Sequence, residues 1–261
     1  MIDQIEIHGF HPHAKLYIVS YLSQGLLVKG YLAIPRGEGP FPLLIYCRGG
    51  IRNVGMTKLA WVDTYVSLGW MVFAPFYRGN RGGEGWEDFG GDDRYDVMEA
   101  IPIMENHPLV NKKQIHIFGF SRGAIPAIFT AIRFPIIASV AIWGGVTDMV
   151  QVYEERVDLR RMLKRVIGGT PGKKPDEYYR RSPLFFAEEL SCPVLIIHGK
   201  RDALVDVSHS MRLAEALETN HKPYTIWIHE KQGHLFSILE QKKTKKKMLD
   251  WMKTIGASGY C

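Results

Sequence analysis

Gly119-Phe120-Ser121-Arg122-Gly123 sets a serine hydroxyl between two glycines. The residues before it, Gln114 to Phe118, have strand character, and the small apolar residues after it, Ala124 to Ile132, are helix-like. A serine at such a junction sits on a tight, strained turn, and the flanking glycines remove side chains that would clash there. The turn presents the hydroxyl above a sheet, with a helix N-terminus behind it that favours developing negative charge. This is the setting of a nucleophile for acyl transfer.

A serine hydroxyl needs a base to take its proton, and the base needs a group to orient it. Downstream of Ser121, the candidate acid is Asp202, in His198-Gly199-Lys200-Arg201-Asp202, just past an apolar strand ending at Ile197. Two other carboxylates compete. Asp206 stands before a helix and reads as an N-cap, and Asp148 follows the strand ending near Trp143. The candidate base is His234, in Lys231-Gln232-Gly233-His234, after the strand Tyr224–Ile228. His229 belongs to that strand, His221 lies before it, and His209 falls inside a helix. The order Ser, Asp, His is the one expected for a strand-turn-helix nucleophile. The oxyanion needs two N–H donors: the backbone of Arg122, and one from Arg48-Gly49-Gly50-Ile51, with Gly50 preferred and Ile51 next. Aspartate at position 121 would point to a dehalogenase and cysteine to a dienelactone-type enzyme, so serine disfavours both.

Positioning these groups requires a sheet. Lys15–Ser20 and Leu26–Ile34 read as two antiparallel strands joined through Ser23-Gln24-Gly25. Pro42–Tyr46, Trp70–Ala74, Gln114–Phe118, Ile137–Trp143, Cys192–Ile197 and Tyr224–Ile228 are short apolar strands. Helices are expected at Lys58–Leu68, Asp92–Asn106, the segment after Ser121, Val207–Glu218 and Phe236–Thr254. Apolar strands alternating with helices imply a mostly parallel sheet covered on both faces, with the chemistry at the carboxyl ends of its strands. The candidate residues do follow strands.

With 261 residues, 46% apolar and 23% charged, the chain has ordinary globular composition, and no linker or repeat divides it. It reads as one domain over 1–261. The net charge of +6 is concentrated in Lys242-Lys243-Thr244-Lys245-Lys246-Lys247, expected to be the solvated face of a helix, with no nucleic-acid or membrane role. Cys47, Cys192 and Cys261 make no disulfide framework, and Cys47 reads as a buried structural thiol. Without a signal-peptide pattern or an uninterrupted apolar span, the expectation is a cytoplasmic protein. His8, His11 and His13 lie close together, but with Glu6 as the nearest carboxylate no metal is expected, and no cofactor is required.

Beyond the triad, several stretches resemble the catalytic domain of the prolyl oligopeptidase family of serine hydrolases, within the α/β-hydrolase superfamily. Arg48-Gly49-Gly50 resembles the family's His-Gly-Gly-Pro loop, and Tyr77-Arg78-Gly79-Asn80-Arg81-Gly82-Gly83-Glu84-Gly85 its Arg-Gly-Ser-x-Gly-x-Gly loop. Phe89 to Asp96 resembles its Gly-x-x-Asp-x-x-Asp stretch. Ser182-Pro183, the segment Cys192–Val205 and Gly233-His234 complete a match over about residues 20 to 255. The resemblance implies an α/β-hydrolase fold and cleavage of a carboxylic ester or a small peptide or amide through an acyl-enzyme. Arg48 stands where the family has His, Ile51 where it has Pro, and Arg122 where its peptidases often carry Tyr. Only about twenty residues precede the hydrolase stretch, where the family's peptidases carry a β-propeller, which turns the expectation toward ester or thioester hydrolysis. A non-catalytic ligand-binding member of the fold is the alternative.

Residues 146–190 are a candidate helical cap. Leu159, Met162, Leu163, Val166 and Ile167 recur at helical spacing and are expected to pack. Arg160, Arg161, Lys164, Arg165, Arg180 and Arg181 are expected to face solvent. The expected partner is a small ester or short peptide, and a homo-oligomer is left open.

Overall fold

The computed structural model describes residues 1–258, with backbone alone at 9–11 and 256–258. Cys261 and the side chain of His11 lie outside the described residues. Among the described residues nine strands form one sheet, in the order β1-β2-β3-β5-β4-β6-β7-β8-β9. They are β1 (Asp3–His11), β2 (Ala14–Ser23), β3 (Leu26–Pro35), β4 (Phe41–Cys47), β5 (Met71–Pro75), β6 (Val110–Phe120), β7 (Ser139–Trp143), β8 (Val194–Gly199) and β9 (Tyr224–His229). The pairs up to β3–β5 are antiparallel, and those from β5 through β9 are parallel. The β2–β3 hairpin turns through Gln24 (φ 49°) and Gly25 (φ 80°), both left-handed, as a two-residue turn matching strand twist requires. β1 adds an edge strand to those expected. Its Asp-Gln-Ile-Glu-Ile segment is largely exposed, paired to β2 along the backbone with Ile7 packing against the core.

The helices are α1 (Leu59–Ser67), α2 (Tyr95–Met98), α3 (Ala100–Glu105), α4 (Ala124–Arg133), α5 (Met149–Glu155), α6 (Arg160–Ile167), α7 (Pro175–Tyr179), α8 (Ser208–Thr219) and α9 (Ile238–Ser258). Alternate residues of one strand serve opposite faces. Leu43 and Ile45 of β4 join a core with Ile101, Ile128 and Leu213 of α3, α4 and α8, whereas Leu44 and Tyr46 join Trp61 and Tyr65 of α1 and Leu249 and Met252 of α9. This two-sided burial is why the central strands read as continuous apolar runs. A third cluster gathers Phe89, Ile125 and Phe129 with Met149, Leu163 and Tyr178 from α5, α6 and α7.

Two expectations need correction. The single helix over 92–106 is a 3₁₀ turn at Asp92–Arg94 followed by α2 and α3, interrupted at Glu99; Pro102 has no N–H to return to the Met98 carbonyl. The lysine run is not uniformly solvated. Lys242, Lys243, Lys246 and Lys247 are exposed, but Lys245 falls on the face that also carries Met248, Leu249 and Met252. Its ammonium lies 3.8 Å from the Trp61 ring centroid, and burial, with Lys58 nearby, lowers its pKa to about 8. Among the described residues, no helix is long and apolar enough to cross a membrane, and no group of His, Cys, Asp and Glu is placed to hold a metal.

The serine turn lies between β6 and α4, as a 3₁₀ turn over Ser121–Gly123. Ser121 is left-handed at φ 56°, an uncommon state for a residue with a side chain, held by tight packing on either side. A Cβ on Gly119 would come within 2.5 Å of the Gly123 carbonyl oxygen, and one on Gly123 within 2.1 Å of the Cys47 carbonyl oxygen. Both contacts are with backbone, which cannot step aside. Gly123→Ala is therefore expected to cost about 3 kcal/mol in urea unfolding. Gly172→Ala, whose added carbon meets nothing within 4 Å, is expected to stay within about 0.5 kcal/mol of wild type.

Candidate active site

Ser121 opens into a cavity of about 460 Å³ at the carboxyl ends of the parallel strands. Arg122, Gly49, Gly50, Ile51 and His234 share its lining with apolar side chains that include Trp61, Phe89, Phe120 and Val146. The elements that bring these groups together are the ends of β4, β6 and β9. The Phe120 ring lies 5.0 Å from the His234 ring, so the histidine stands beside the residue that precedes the serine.

His234 and Asp202 form a hydrogen-bonded pair, Nδ1 to Oδ2 at 2.7 Å. Asp202 is buried at the end of β8, and its other oxygen accepts the backbone N–H groups of Leu204 (2.9 Å) and Val205 (3.0 Å). His198 completes the surroundings. Its Nε2 lies 2.9 Å from the Val205 carbonyl, which can only accept, so Nε2 carries the proton and also reaches Asp202 Oδ2 at 3.3 Å. Ser210 then donates to His198 Nδ1 at 2.6 Å. Burial works against a charged Asp202, but hydrogen bonds from His198, His234 and the Val205 backbone outweigh it and hold the carboxyl well below its usual range. An ionised Asp202 only accepts, so His234 Nδ1 carries a proton and the neutral ring keeps its lone pair on Nε2. The two loops are tied together: Arg201 N–H donates to the Gln232 carbonyl (2.9 Å) and Lys200 N–H to that of His229 (3.0 Å).

The competing residues have structural work elsewhere. Asp148 caps α5, accepting from Val150 and Gln151 N–H, and pairs with Arg212 at 2.8 Å. Asp206 accepts the Ser208 N–H ahead of α8. His209 is buried against Thr147 and Glu155, and His221 occupies a turn at φ 54°.

Beneath Ser121 lies a buried polar network. Arg48 is fully buried; it pairs with Glu87 and donates to the carbonyls of Gly49 (3.0 Å) and Phe76 (3.0 Å). The Arg122 side chain, 2% exposed, pairs with Asp93 at 2.7 Å and with Glu87 at 3.2 Å. Burial disfavours its charge, but Glu87 and Asp93 outweigh that and raise its pKa. Asp93 also accepts the N–H groups of Asp88, Phe89 and Gly90. Glu87 further accepts from Asn80 and from the Arg52 N–H at 3.0 Å. Sequence reading missed Glu87, and it placed Asp93 in a motif without assigning its role. The available signal was that arginines at 48 and 122, each beside the sheet's active edge, need carboxylates to enter the interior with them.

Of the N–H donors expected for an oxyanion, that of Arg122 belongs to the first turn of a helical segment, where N–H groups have no intrahelical partner. Gly50 adopts φ 65°, and a Cβ there would lie 2.2 Å from the Val54 carbonyl oxygen, so the loop fits only glycine at this position. A Cβ on Gly49 would lie 2.7 Å from Ser121 Cβ, which brings the loop directly against the serine.

From the 146–190 segment, Val152, Arg156, Leu159 and Met162 line the cavity, whereas Leu163 and Ile167 are buried behind them. The apolar stripe thus divides between packing and cavity wall. Arg161, Lys164 and Arg165 are exposed as expected, and Arg160 and Arg180 are half-buried. Arg181 departs from expectation: it is 2% exposed, paired with Glu177 and with Asp88 at 2.9 Å, and so anchors this segment to the loop that carries Glu87. Cys47 is buried, and burial raises its thiol pKa well above the usual range.

With this geometry in hand, the chain can be compared with known proteins. A model of the prolyl oligopeptidase family matches residues 57–257. The uncharacterized peptidase YtmA of Bacillus subtilis is 48% identical over 92% of this chain and 94% of its own. Acylaminoacyl peptidase of Pyrococcus horikoshii superposes with a TM-score of 0.78 at 21% identity, covering 92% of this chain but 41% of that one. Acetyl xylan esterase 1 of Thermoanaerobacterium sp. JW/SL YS485 superposes with a TM-score of 0.72 at 18% identity, over 95% of this chain and 87% of that one. At these identities the two structures share the fold: a mostly parallel sheet flanked by helices, of the α/β-hydrolase type.

The depressed Asp202 pKa has a consequence for stability. A carboxyl whose folded pKa lies below its unfolded value stabilises the fold above the unfolded pKa, and that contribution is lost as pH falls toward the folded value. The melting-temperature advantage of wild type over Asp202→Asn is therefore expected to be constant from pH 7 to 5 and to shrink below about pH 4. Thermal melts of both proteins across that range check it; an advantage that grows on acidification contradicts it.

Proposed function

As a member of the prolyl oligopeptidase family the chain is a serine hydrolase, and we propose that it cleaves carboxylic esters or small peptide and amide bonds through a Ser121–His234–Asp202 triad and an acyl-enzyme. The observation that carries this reading is the 2.7 Å hydrogen bond between Asp202 and His234, the latter in the wall of the cavity into which the strained Ser121 opens. Ser121 and His234 line the same cavity, and Asp202 is hydrogen-bonded to His234, which supports this reading.

In this mechanism His234 Nε2 takes the Ser121 proton as Oγ attacks the substrate carbonyl carbon. Asp202, hydrogen-bonded to Nδ1, holds the ring in that tautomer and stabilises the imidazolium that forms. The carbonyl oxygen becomes an oxyanion and is received by the backbone N–H groups of Arg122 and Gly50. Collapse of the tetrahedral intermediate breaks the bond to the leaving group, which departs with the proton from His234. Water, deprotonated by the same histidine, then releases the acyl group as a carboxylate. The mostly apolar wall, with Trp61, Phe89, Val152, Leu159 and Met162, suits a small apolar acyl group. An aliphatic ester is accordingly the first substrate to try.

A fluorophosphonate probe is expected to label Ser121, located by peptide mass spectrometry, and Ser121→Ala is expected to abolish both labelling and turnover of p-nitrophenyl butyrate, by about 10⁴-fold or more. Turnover of an aminoacyl p-nitroanilide alongside the ester would extend the activity to amides. A wild type that neither labels nor turns over any of these substrates would reassign the chain to ligand binding without catalysis.

A further inference from the structure

We propose that Glu87 is the positioning residue of the oxyanion site: one buried carboxylate that holds the loop bearing Gly50 and the turn bearing Arg122 in fixed relation. The inference rests on the hydrolase reading above, because it concerns where that reaction's negative charge is received. Glu87 touches neither substrate nor serine and acts through the backbone.

The geometry is specific. The Glu87 side chain has no exposed surface. One oxygen accepts from Arg48 Nη2 and Asn80 Nδ2; the other accepts the backbone N–H of Arg52 at 3.0 Å and lies 3.2 Å from Arg122 Nη2. Arg48 passes the constraint on, since its Nη1 donates to the Gly49 carbonyl at 3.0 Å. The chain is thus held at Gly49 through Arg48 and at Arg52 directly, and the N–H groups of Gly50 and Ile51 lie between these two fixed points. The opposite donor belongs to Arg122, whose guanidinium hydrogen-bonds Asp93 through Nη1 at 2.7 Å and forms an ion pair with the same Glu87 carboxylate through Nη2. Two loops separated by about 70 residues of sequence are therefore referred to one anchor.

Such an anchor matters because oxyanion donors work only within a narrow distance of the developing charge, and a displacement of about 1 Å can cost on the order of 100-fold in rate. Glutamine at 87 has the same shape but turns one acceptor into an NH₂ donor. That donor must face the arginines or the Arg52 N–H, all of which donate, so the loop has to move. Aspartate keeps the charge but is one methylene too short to reach both loops. A residue that merely stabilised the fold would lower the melting temperature in either variant and leave the chemistry of the folded protein intact.

The test compares wild type, Glu87→Gln and Glu87→Asp as full chains, at a temperature where circular dichroism shows each to be folded. Steady-state kinetics with p-nitrophenyl butyrate are paired with inhibition by butylboronic acid, whose tetrahedral serine adduct sets an oxygen where the oxyanion would form. For Glu87→Gln, kcat is expected to fall about 100-fold with KM within about threefold of wild type, and boronate affinity to weaken in parallel with kcat. If the glutamine variant does not fold, Glu87→Asp carries the test: it is expected to lose about tenfold in kcat although the charge is retained. A folded variant that matches wild type within about twofold in kcat and boronate affinity overturns the role of Glu87 alone. A wild type that neither hydrolyses the ester nor binds the boronate overturns the hydrolase reading on which the role rests.

Discussion

Two arginines and two carboxylates, Arg48, Arg122, Glu87 and Asp93, share the interior beside Ser121, and the arrangement of the surrounding loops depends on their being there together. Removing any one charge from such a group strands its partners in a medium that solvates them poorly, at a cost of about 3–5 kcal/mol. The four side chains come from the end of β4, the turn after β6 and the segment 87–93 between β5 and α2. Each arginine of the network is paired with a carboxylate, and these pairs tie three loops together. Hydrophobic packing holds the sheet, but it could not register these loops against each other so narrowly, because apolar contact has no direction.

The opposite side of the cavity is organised by the same logic with fewer charges. Asp202 is buried, and each of its oxygens is met by donors from its own loop or from His198 and His234. A Cβ on Gly199 would lie 2.4 Å from the Gly233 carbonyl oxygen, so the loop that carries His234 rests directly on the end of β8. Gly144 does the same from β7: a Cβ there would lie 3.1 Å from His234 Nδ1 and 3.2 Å from Asp202 Oδ2. Backbone contact thus sets where the histidine stands, and hydrogen bonding sets how it is turned. The strain at Ser121 is tolerable in this frame because Gly119, Gly123 and Gly49 close around it on backbone that has no room to relax.

Much of this arrangement was legible in the residues themselves. Ser121, Asp202 and His234 each follow an apolar strand, and the parallel sheet that such strands imply does bring their ends together. The positions that escaped notice share a physical cause. Glu87 drew no notice, Asp93 was seen only as part of a motif and Arg181 was expected in solvent; all are charged, and a charge in sequence reads as surface, while only the fold reveals that it enters the interior with a partner. Lys245 was hidden in a run of like residues, although helical periodicity alone puts it on the face shared with Met248, Leu249 and Met252. Edge strand β1 lacks the apolar run that marks its buried counterparts. The stripe over 159–167 was recognised as one feature, yet Leu163 and Ile167 of α6 are buried in packing while Met162 of α6 and Leu159, in the turn before it, line the cavity, a division that depends on what lies opposite.

If these constraints aim two backbone N–H groups at one point above Ser121, a crystal structure of the butylboronate adduct will show it most directly. Boron is expected to be bonded to Ser121 Oγ, with one boronate oxygen at about 2.7–3.1 Å from the nitrogens of both Arg122 and Gly50. An adduct on another residue, or one on Ser121 whose oxygens leave both of those N–H groups without a partner, would contradict it.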